Sequence, residues 1–176
     1  MNVEIHSTDA NKVANGGLFD IIGKKVSNLI VEGKVDVNGK GTCYAGGLCG
    51  ILTGTIEFCR FNGTVSSATS SSSSTNHAGG IMGHSIGAIP VITGCIANAK
   101  VTVSGGKADD SVTGGLAGKI GADKISYSAW NSDPNNGGTS AMVGKNISGE
   151  ATATNSFTDI AGLNALLSGI NAGVSA

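Results

Sequence analysis

One short block, a glycine pair followed by an aliphatic residue, recurs along this 176-residue chain at nearly even intervals. The copies are Gly16-Gly17-Leu18, Gly46-Gly47-Leu48-Cys49-Gly50, Gly79-Gly80-Ile81-Met82-Gly83 and Gly114-Gly115-Leu116-Ala117-Gly118, with a degenerate fifth at Ser140-Ala141-Met142-Val143-Gly144. Their starts lie 30, 33, 35 and 26 residues apart. A repeat of this period marks an architecture in which one unit cannot bury its apolar face alone and is completed by its neighbours.

A second block follows each of the first four copies: VSNLIVEGKV from Val26, IEFCRFNGTV from Ile56, ITGCIANAKV from Ile92 and ISYSAWNSDP from Ile125. Its first position is apolar (Val26, Ile56, Ile92, Ile125). Its fourth is Leu29, Cys59, Cys95 or Ser128, its sixth Val31, Phe61, Ala97 or Trp130, and its tenth Val35, Val65, Val101 or Pro134. Positions four, six and ten share a period of two and β-branched residues are frequent, so the block reads as strand with these residues inward. Position eight is small (Gly33, Gly63, Ala99, Ser132), as a bend or a close backbone approach requires. Position seven (Glu32, Asn62, Asn98, Asn131) can form a polar ladder.

Stacking equivalent positions makes each repeat one coil of two or three short strands, with coils about 4.8 Å apart. The expected fold is therefore all-β: a parallel β-solenoid, read as a right-handed β-helix, of about four to five coils. Composition agrees, since only 4% of the residues are aromatic and the core must be a thin one of Val, Ile, Leu, Ala and Cys. A β-propeller is the nearest rival, but its blades are longer and richer in aromatic residues. Residues 16–150 are assigned to the repeats and 1–15 to a polar N-terminal segment, read as cut from a longer chain. Residues 151–176 are assigned to a C-terminal cap, in which Ile160, Leu163, Leu166, Leu167 and Ile170 fall on one face of a short helix that Ser156 or Thr158 could cap.

With 11 basic and 12 acidic residues the net charge is −1, which supplies no field for nucleic acid. No apolar run is long enough to span a bilayer as a helix, and the N-terminus has no signal-peptide pattern.

The two-block pattern resembles the GLUG-motif repeats of bacterial surface proteins. It is carried by GGLCG, GGIMG and GGLAG with the IEFC and ITGC strands, and by GGLFDIIGKKVSNLIVEGKV at the front. Such repeats occur in adhesin-like chains, in surface proteins of gut Bacteroidales and beside the catalytic domain of some immunoglobulin-cleaving peptidases. The resemblance covers Gly16 to Gly144. It implies a non-catalytic, extracellular or cell-surface β-helical region flanked by other domains of a larger protein. Two terminal copies depart from the pattern: Asp20 replaces the closing glycine of the first, and Ser140-Ala141 the glycine pair of the last.

The expected function is thus structural or adhesive, with no catalytic residues, no cofactor and no metal. The alternative is a glycan-binding module using outward loops such as Ser66–Asn76 and Gly105–Val112, with a host or surface glycan or protein as partner. A β-helical polysaccharide-processing enzyme would build its site from paired carboxylates. Asp109, Asp110, Asp123, Asp133 and Glu150 share no repeat position, and Trp130 aligns with the inward Val31 and Phe61. His77 and His84 read as unrelated loop residues. Cys59 and Cys95 stack in neighbouring coils, where a disulfide is the alternative to the expected buried free thiols; Cys49 is expected to be packed as well, and Cys43 to be the more exposed thiol. P-loop signals are absent, and the Asn62-Gly63-Thr64 and Asn146-Ile147-Ser148 triplets carry little weight.

Overall fold

The computed structural model describes residues 1–87, 90–121, 124–133, 135, 138–139, 141–147, 150–151 and 155–157. It is a parallel β-solenoid in which the chain winds through four sheets. The first coil is β2 (Ala14–Gly16), β3 (Phe19–Ile22), β4 (Lys25–Ser27) and β5 (Ile30–Gly39). The second is β6 (Cys43–Gly46), β7 (Cys49–Leu52), β8 (Thr55–Glu57) and β9 (Arg60–Thr69). The third is β10 (Asn76–Gly79), β11 (Met82–Ser85), β12 (Val91–Thr93) and β13 (Ile96–Ser104). The fourth is β14 (Ser111–Gly114), β15 (Ala117–Ile120), β16 (Lys124–Ser126) and β17 (Ala129–Asn131). We number the sheets I to IV in the order each of these coils visits them.

Four strands per coil, rather than two or three, is a correction with a local cause. Sharp corners at the glycine pair, after β3-type strands and before β5-type strands cut most of the coil into pieces of three or four residues. Only sheet IV keeps long strands. The stack also extends past both expected limits. The strand β1 (Asn2–Ser7) pairs in register with β5, placing Val3 on Val35 and Ile5 on Val37, so residues 1–15 belong partly to the solenoid. After β17 the chain continues as β18 (Val143–Asn146), β19 (Glu150–Ala151) and β20 (Asn155–Phe157), which extend sheets II, III and IV. Ser156 therefore sits in a strand opposite Trp130. The helix expected further on lies outside the described residues.

Equivalent residues stack as the alignment predicts. Ile56 pairs with Ile92 and Ile92 with Ile125, while Val65 bridges Val35 and Val101. Ile56, Ile92, Ile125, Leu48, Ile81, Leu116 and Phe61 are fully buried and form one core cluster with Cys59, Cys95 and Trp130. Burying each such aliphatic side chain is worth about 2 to 3 kcal/mol.

The two sequence blocks depend on each other. From the second coil on, the sixth-position side chain of the second block covers the second glycine of the first: Phe61 lies over Gly47 and Trp130 over Gly115, where an added methyl would enter the ring. At Gly80 a Cβ would stand 2.6 Å from the Cβ of Ala97. The closing glycines serve a different approach. A Cβ on Gly83 would lie 2.6 Å from Ala45 N and 2.8 Å from Gly50 O, and one on Gly118 2.8 Å from Ala78 N. Gly50 faces the backbone of the first coil in the same way, at 2.6 Å from Gly16 N. Sheet II thus lies directly against the backbone of sheet I, with no room for side chains between them.

Position eight is a close approach as expected. Gly63 has φ +151°, and a methyl there would collide with the Gly33 carbonyl. Position three brings in a conformation that the alignment does not reveal. Asn28, Phe58, Gly94 and Tyr127 all turn the corner from sheet III to sheet IV with positive φ, at 59°, 51°, 62° and 48°. Three of these corner amides bond to the next coil: Asn28 N–H donates to Glu57 O (3.1 Å), Phe58 N–H to Thr93 O (3.0 Å) and Gly94 N–H to Ser126 O (3.2 Å). Glycine and asparagine adopt this region readily, whereas a bulky residue is held there at a cost of about 1 kcal/mol or more.

The residue after this corner explains the cysteines. Cys59 Sγ donates to Glu57 O (3.2 Å), Cys95 Sγ to Thr93 O (3.4 Å) and Ser128 Oγ to Ser126 O (2.8 Å). A small donor at position four ties off the corner carbonyl, which is why thiol and hydroxyl interchange there. Cys43 is a correction: it lies in β6 and is fully buried, because its thiol reaches the Ala68 carbonyl (3.1 Å) at the junction of sheets IV and I. Next to it the fully buried Asn76 donates to Ser67 O (3.1 Å) and Ser104 O (2.8 Å) and accepts from Ser67 Oγ.

All four cysteines are free and buried. Burial pushes the Cys43 thiol up to about 11 and Cys49 higher still, while a hydrogen bond from Cys95 draws Cys59 down to about 7. Burial should outweigh that activation, because reaction requires access as well as thiolate. A disulfide reagent is expected to label less than one thiol per native chain at pH 8 and four in denaturant. Fast labelling of a native cysteine would refute this packing.

Candidate functional site

Two columns of polar and aromatic side chains meet outside the core at the junction of sheets I and II. From sheet I come Tyr44 and His77, paired in register two residues before their glycine pairs. Cys43 and Ala45, the neighbours of Tyr44 along β6, lie in the core, so strand alternation turns Tyr44 the other way. From sheet II come Ile51, His84, Lys119 and Lys145, in register and each five residues after its block start. The glycines between the sheets let the columns touch. Tyr44 stacks on His77 with ring centroids 4.9 Å apart and planes within 12°, and His84 approaches Tyr44 at 4.7 Å and His77 at 5.1 Å.

The turn before β14 delivers a carboxylate to the same place. Asp110, at the end of a short 3-10 turn (Ala108–Asp110), puts Oδ1 2.8 Å from Lys145 Nζ, 3.3 Å from Lys119 Nζ and 3.6 Å from His77 Nε2. Lys145 also donates to the Asp109 carbonyl (3.3 Å). Burial pushes the Asp110 carboxyl up, but Lys145 and Lys119 outweigh it and hold it at about 2. His77 and His84 are both driven to about 4, chiefly by burial. For His77 the neighbouring imidazole and Lys119 add to this and overcome the attraction of Asp110; for His84 Lys119 adds to it. Both imidazoles are therefore neutral at pH 7. His77 Nδ1 and Nε2 and His84 Nδ1 are buried without a hydrogen-bond partner.

This arrangement corrects the reading of His77 and His84 as unrelated loop residues. They lie on strands and pack against each other because the solenoid brings the two strands flanking one glycine block face to face. A common offset from the block starts was the available signal: Tyr44 and His77 share one, His84, Lys119 and Lys145 another. The expected outward loops are likewise shorter than the sequence suggested. Ser66–Thr69 belongs to β9, Asn76 to β10 and Ser111–Val112 to β14, so the turns reduce to residues 70–75 and 105–110. Trp130 is 9% exposed and packs in the core as predicted. Asp123 lies outside the described residues. Among the described residues, no group of three or more His, Cys, Asp or Glu side chains is placed to hold a metal ion. No helix among them is long and apolar enough to cross a membrane.

The cluster makes stability depend on pH. An unfolded histidine takes up its proton near pH 6.5, whereas the folded pair does so only near 4, so the unfolded state binds more protons between these values. Their stabilising contribution is complete above about pH 6.5 and is lost progressively as the pH falls to 4. For His77, whose side chain is 1% exposed, it is on the order of 3 kcal/mol, and less for His84. Urea midpoints should fall from pH 7 to 4.5 in the native chain and vary much less in His77→Phe. An equal slope in that variant would exclude His77 as the source.

Fold and cluster together define a parallel β-solenoid with a sealed aliphatic core and a closed polar knot on one outer edge. Compared with models of known protein families, with curated proteins and with solved structures, the chain matches none.

Proposed function

We propose that this chain is a non-catalytic structural or adhesive segment of a bacterial surface protein, a stiff spacer that holds other parts of a larger chain away from the cell. The observation that carries the reading is the unbroken in-register stacking of equivalent residues through four sheets, with the core closed along its length. A stack of this kind transmits tension through many parallel backbone hydrogen bonds. The resemblance to GLUG-motif repeats supports the location at the cell surface.

The inward closure of the polar knot supports the non-catalytic part. His77 is fully buried, and Asp110 is engaged by two ammonium groups, which leaves it a poor general base. Single-molecule pulling on the full chain tests the spacer role. Unfolding in successive steps of about one coil, at forces typical of load-bearing β-proteins, is expected. Unfolding at the low forces of helical domains would contradict it.

A second reading, a glycan-binding module, is favoured by large apolar side chains left exposed on the outer corners, Phe58 and Tyr127 among them. It shares the location of the first and differs in giving the outer surface a ligand. Its expected contact surface, the loops Ser66–Asn76 and Gly105–Val112, is reduced to the turns 70–75 and 105–110.

A further inference from the structure

The outer corner between sheets III and IV carries residues that the fold alone would not choose. Asn28 and Gly94 suit its left-handed backbone, yet the same place is held by phenylalanine in the second coil and tyrosine in the fourth. Neither aromatic repays the conformation by burial, since Phe58 is 45% exposed and Tyr127 46%. A bulky residue kept in a strained conformation while nearly half of it stays exposed points to a use for the ring. The strain stands in the backbone; the ring is available to a ligand.

The corner has the layout of a track. Glu57, Thr93 and Ser126 are in register on one side of it, and Arg60, Ile96 and Ala129 on the other, so Phe58, Gly94 and Tyr127 succeed one another along the stack. Two coils separate the aromatic residues, about 10 Å at the spacing of paired strands. The glycine between them leaves room: a Cβ there would lie 2.6 Å from Cδ1 and 2.8 Å from Cε1 of Phe58, so that ring leans across Gly94.

The groups beside the corner include the Thr93 and Ser126 hydroxyls and the charged Glu57 and Arg60, with the Asn62–Asn98 amide pair two residues beyond Arg60 and Ile96. Ser126 Oγ donates to Thr93 Oγ1 (3.1 Å) and Asn98 Nδ2 to Asn62 Oδ1 (2.7 Å), which leaves each pair further hydrogen-bonding capacity. Glu57 is paired with Lys25 at 2.5 Å, and Arg60 Nε is buried without a partner.

We propose that the Phe58–Gly94–Tyr127 corner binds an uncharged, β-linked polysaccharide lying along the stack axis. Its pyranose rings rest their C–H faces on the two aromatic rings, and its hydroxyls bond to the Thr93–Ser126 and Asn62–Asn98 pairs. The electropositive hydrogens of a pyranose face suit the negative face of an aromatic ring. The two aromatic residues rise from backbones about 10 Å apart along the stack, a spacing on the scale of a pair of linked sugars in extended form. An acidic glycan, charged at every repeat, would want a row of cations; Glu57 and Lys25 neutralise each other, and Arg60 adds a single further cation beside the corner. The proposal rests on the glycan-binding reading and moves its site from the loops to the strand corner.

The test uses the full chain and four probes, cellohexaose, chitohexaose, xylohexaose and mannohexaose, by titration calorimetry. Binding of at least one is expected, with a tenfold or greater loss in Phe58→Asn and in Tyr127→Asn and none measurable in the double variant. Because asparagine fits the corner, as Asn28 does, these variants should melt at the same temperature as the native chain or higher. Phe58→Leu and Tyr127→Leu keep side-chain bulk and backbone strain and should also lose binding. Undiminished binding in the leucine variants, or binding that survives the double asparagine variant, overturns the corner site. If that surviving binding is abolished by replacing Ser71 and Ser73 with alanine, the glycan-binding reading stands with its site in the loops. No binding of any probe to the native chain overturns both.

Discussion

Ile92→Asp is expected to unfold the chain. Ile92 is fully buried between Ile56 and Ile125 in the aliphatic row of the core. The variant loses about 2 to 3 kcal/mol of apolar burial. It also places a carboxylate where no partner is in reach, and neutralising or burying that group costs several kcal/mol more. The sum is of the order of the whole stability of a domain this size, about 5 to 15 kcal/mol. The far-ultraviolet circular dichroism of a β-fold should be lost at 25 °C, and the protein should be found in the insoluble fraction. Equivalent damage is expected at Ile56 or Ile125, since each coil lends its aliphatic row to the next. A soluble Ile92→Asp chain with a native melting temperature would mean that this row does not face the core.

Gly79→Ala should come next in size. The methyl would meet the Met82 carbonyl and stand 2.6 Å from Gly118 N and 2.7 Å from the Ala117 Cα, all of it backbone. Side chains can turn away from an added methyl, but strands held in a hydrogen-bonded ladder cannot, so the cost should reach or exceed the upper end of the usual range of about 1 to 3 kcal/mol for overpacking. Gly121→Ala is the control, because a Cβ there has no neighbour within 4 Å, and it should change stability by less than about 0.5 kcal/mol. Chemical denaturation of the two variants side by side checks the contrast. Equal effects would show that glycine content, rather than contact geometry, governs stability.

That contrast bears on what was legible in the sequence. Spacing alone placed the coils, the inward row of Ile56, Ile92 and Ile125 and the core position of Trp130, because one pattern repeated several times averages out local noise. The four-strand coil was not legible. Strands of three residues are too short to show a period, and the left-handed corner is masked when its four occupants are asparagine, phenylalanine, glycine and tyrosine. The meeting of Tyr44, His77 and His84 was hidden for another reason. Tyr44 and His77 lie on sheet I and His84 on sheet II, and the glycine contacts of sheet II against sheet I bring them together. Cys43 looked exposed beside Tyr44 because alternation, which turns one neighbour in and the other out, is invisible until the strand is known.

The in-register stack has a consequence for how the chain reaches this state. Every coil closes on its neighbour across a sequence separation of about 30 residues, and no contact between the two ends of the molecule is needed for any of them. The entropic barrier is then that of bringing the first two coils together, after which each further coil adds to an existing template. Folding rate should accordingly be insensitive to how many coils follow. A lesion in the third coil, such as Ile92→Asp, should interrupt propagation from either side and not merely lower the final stability.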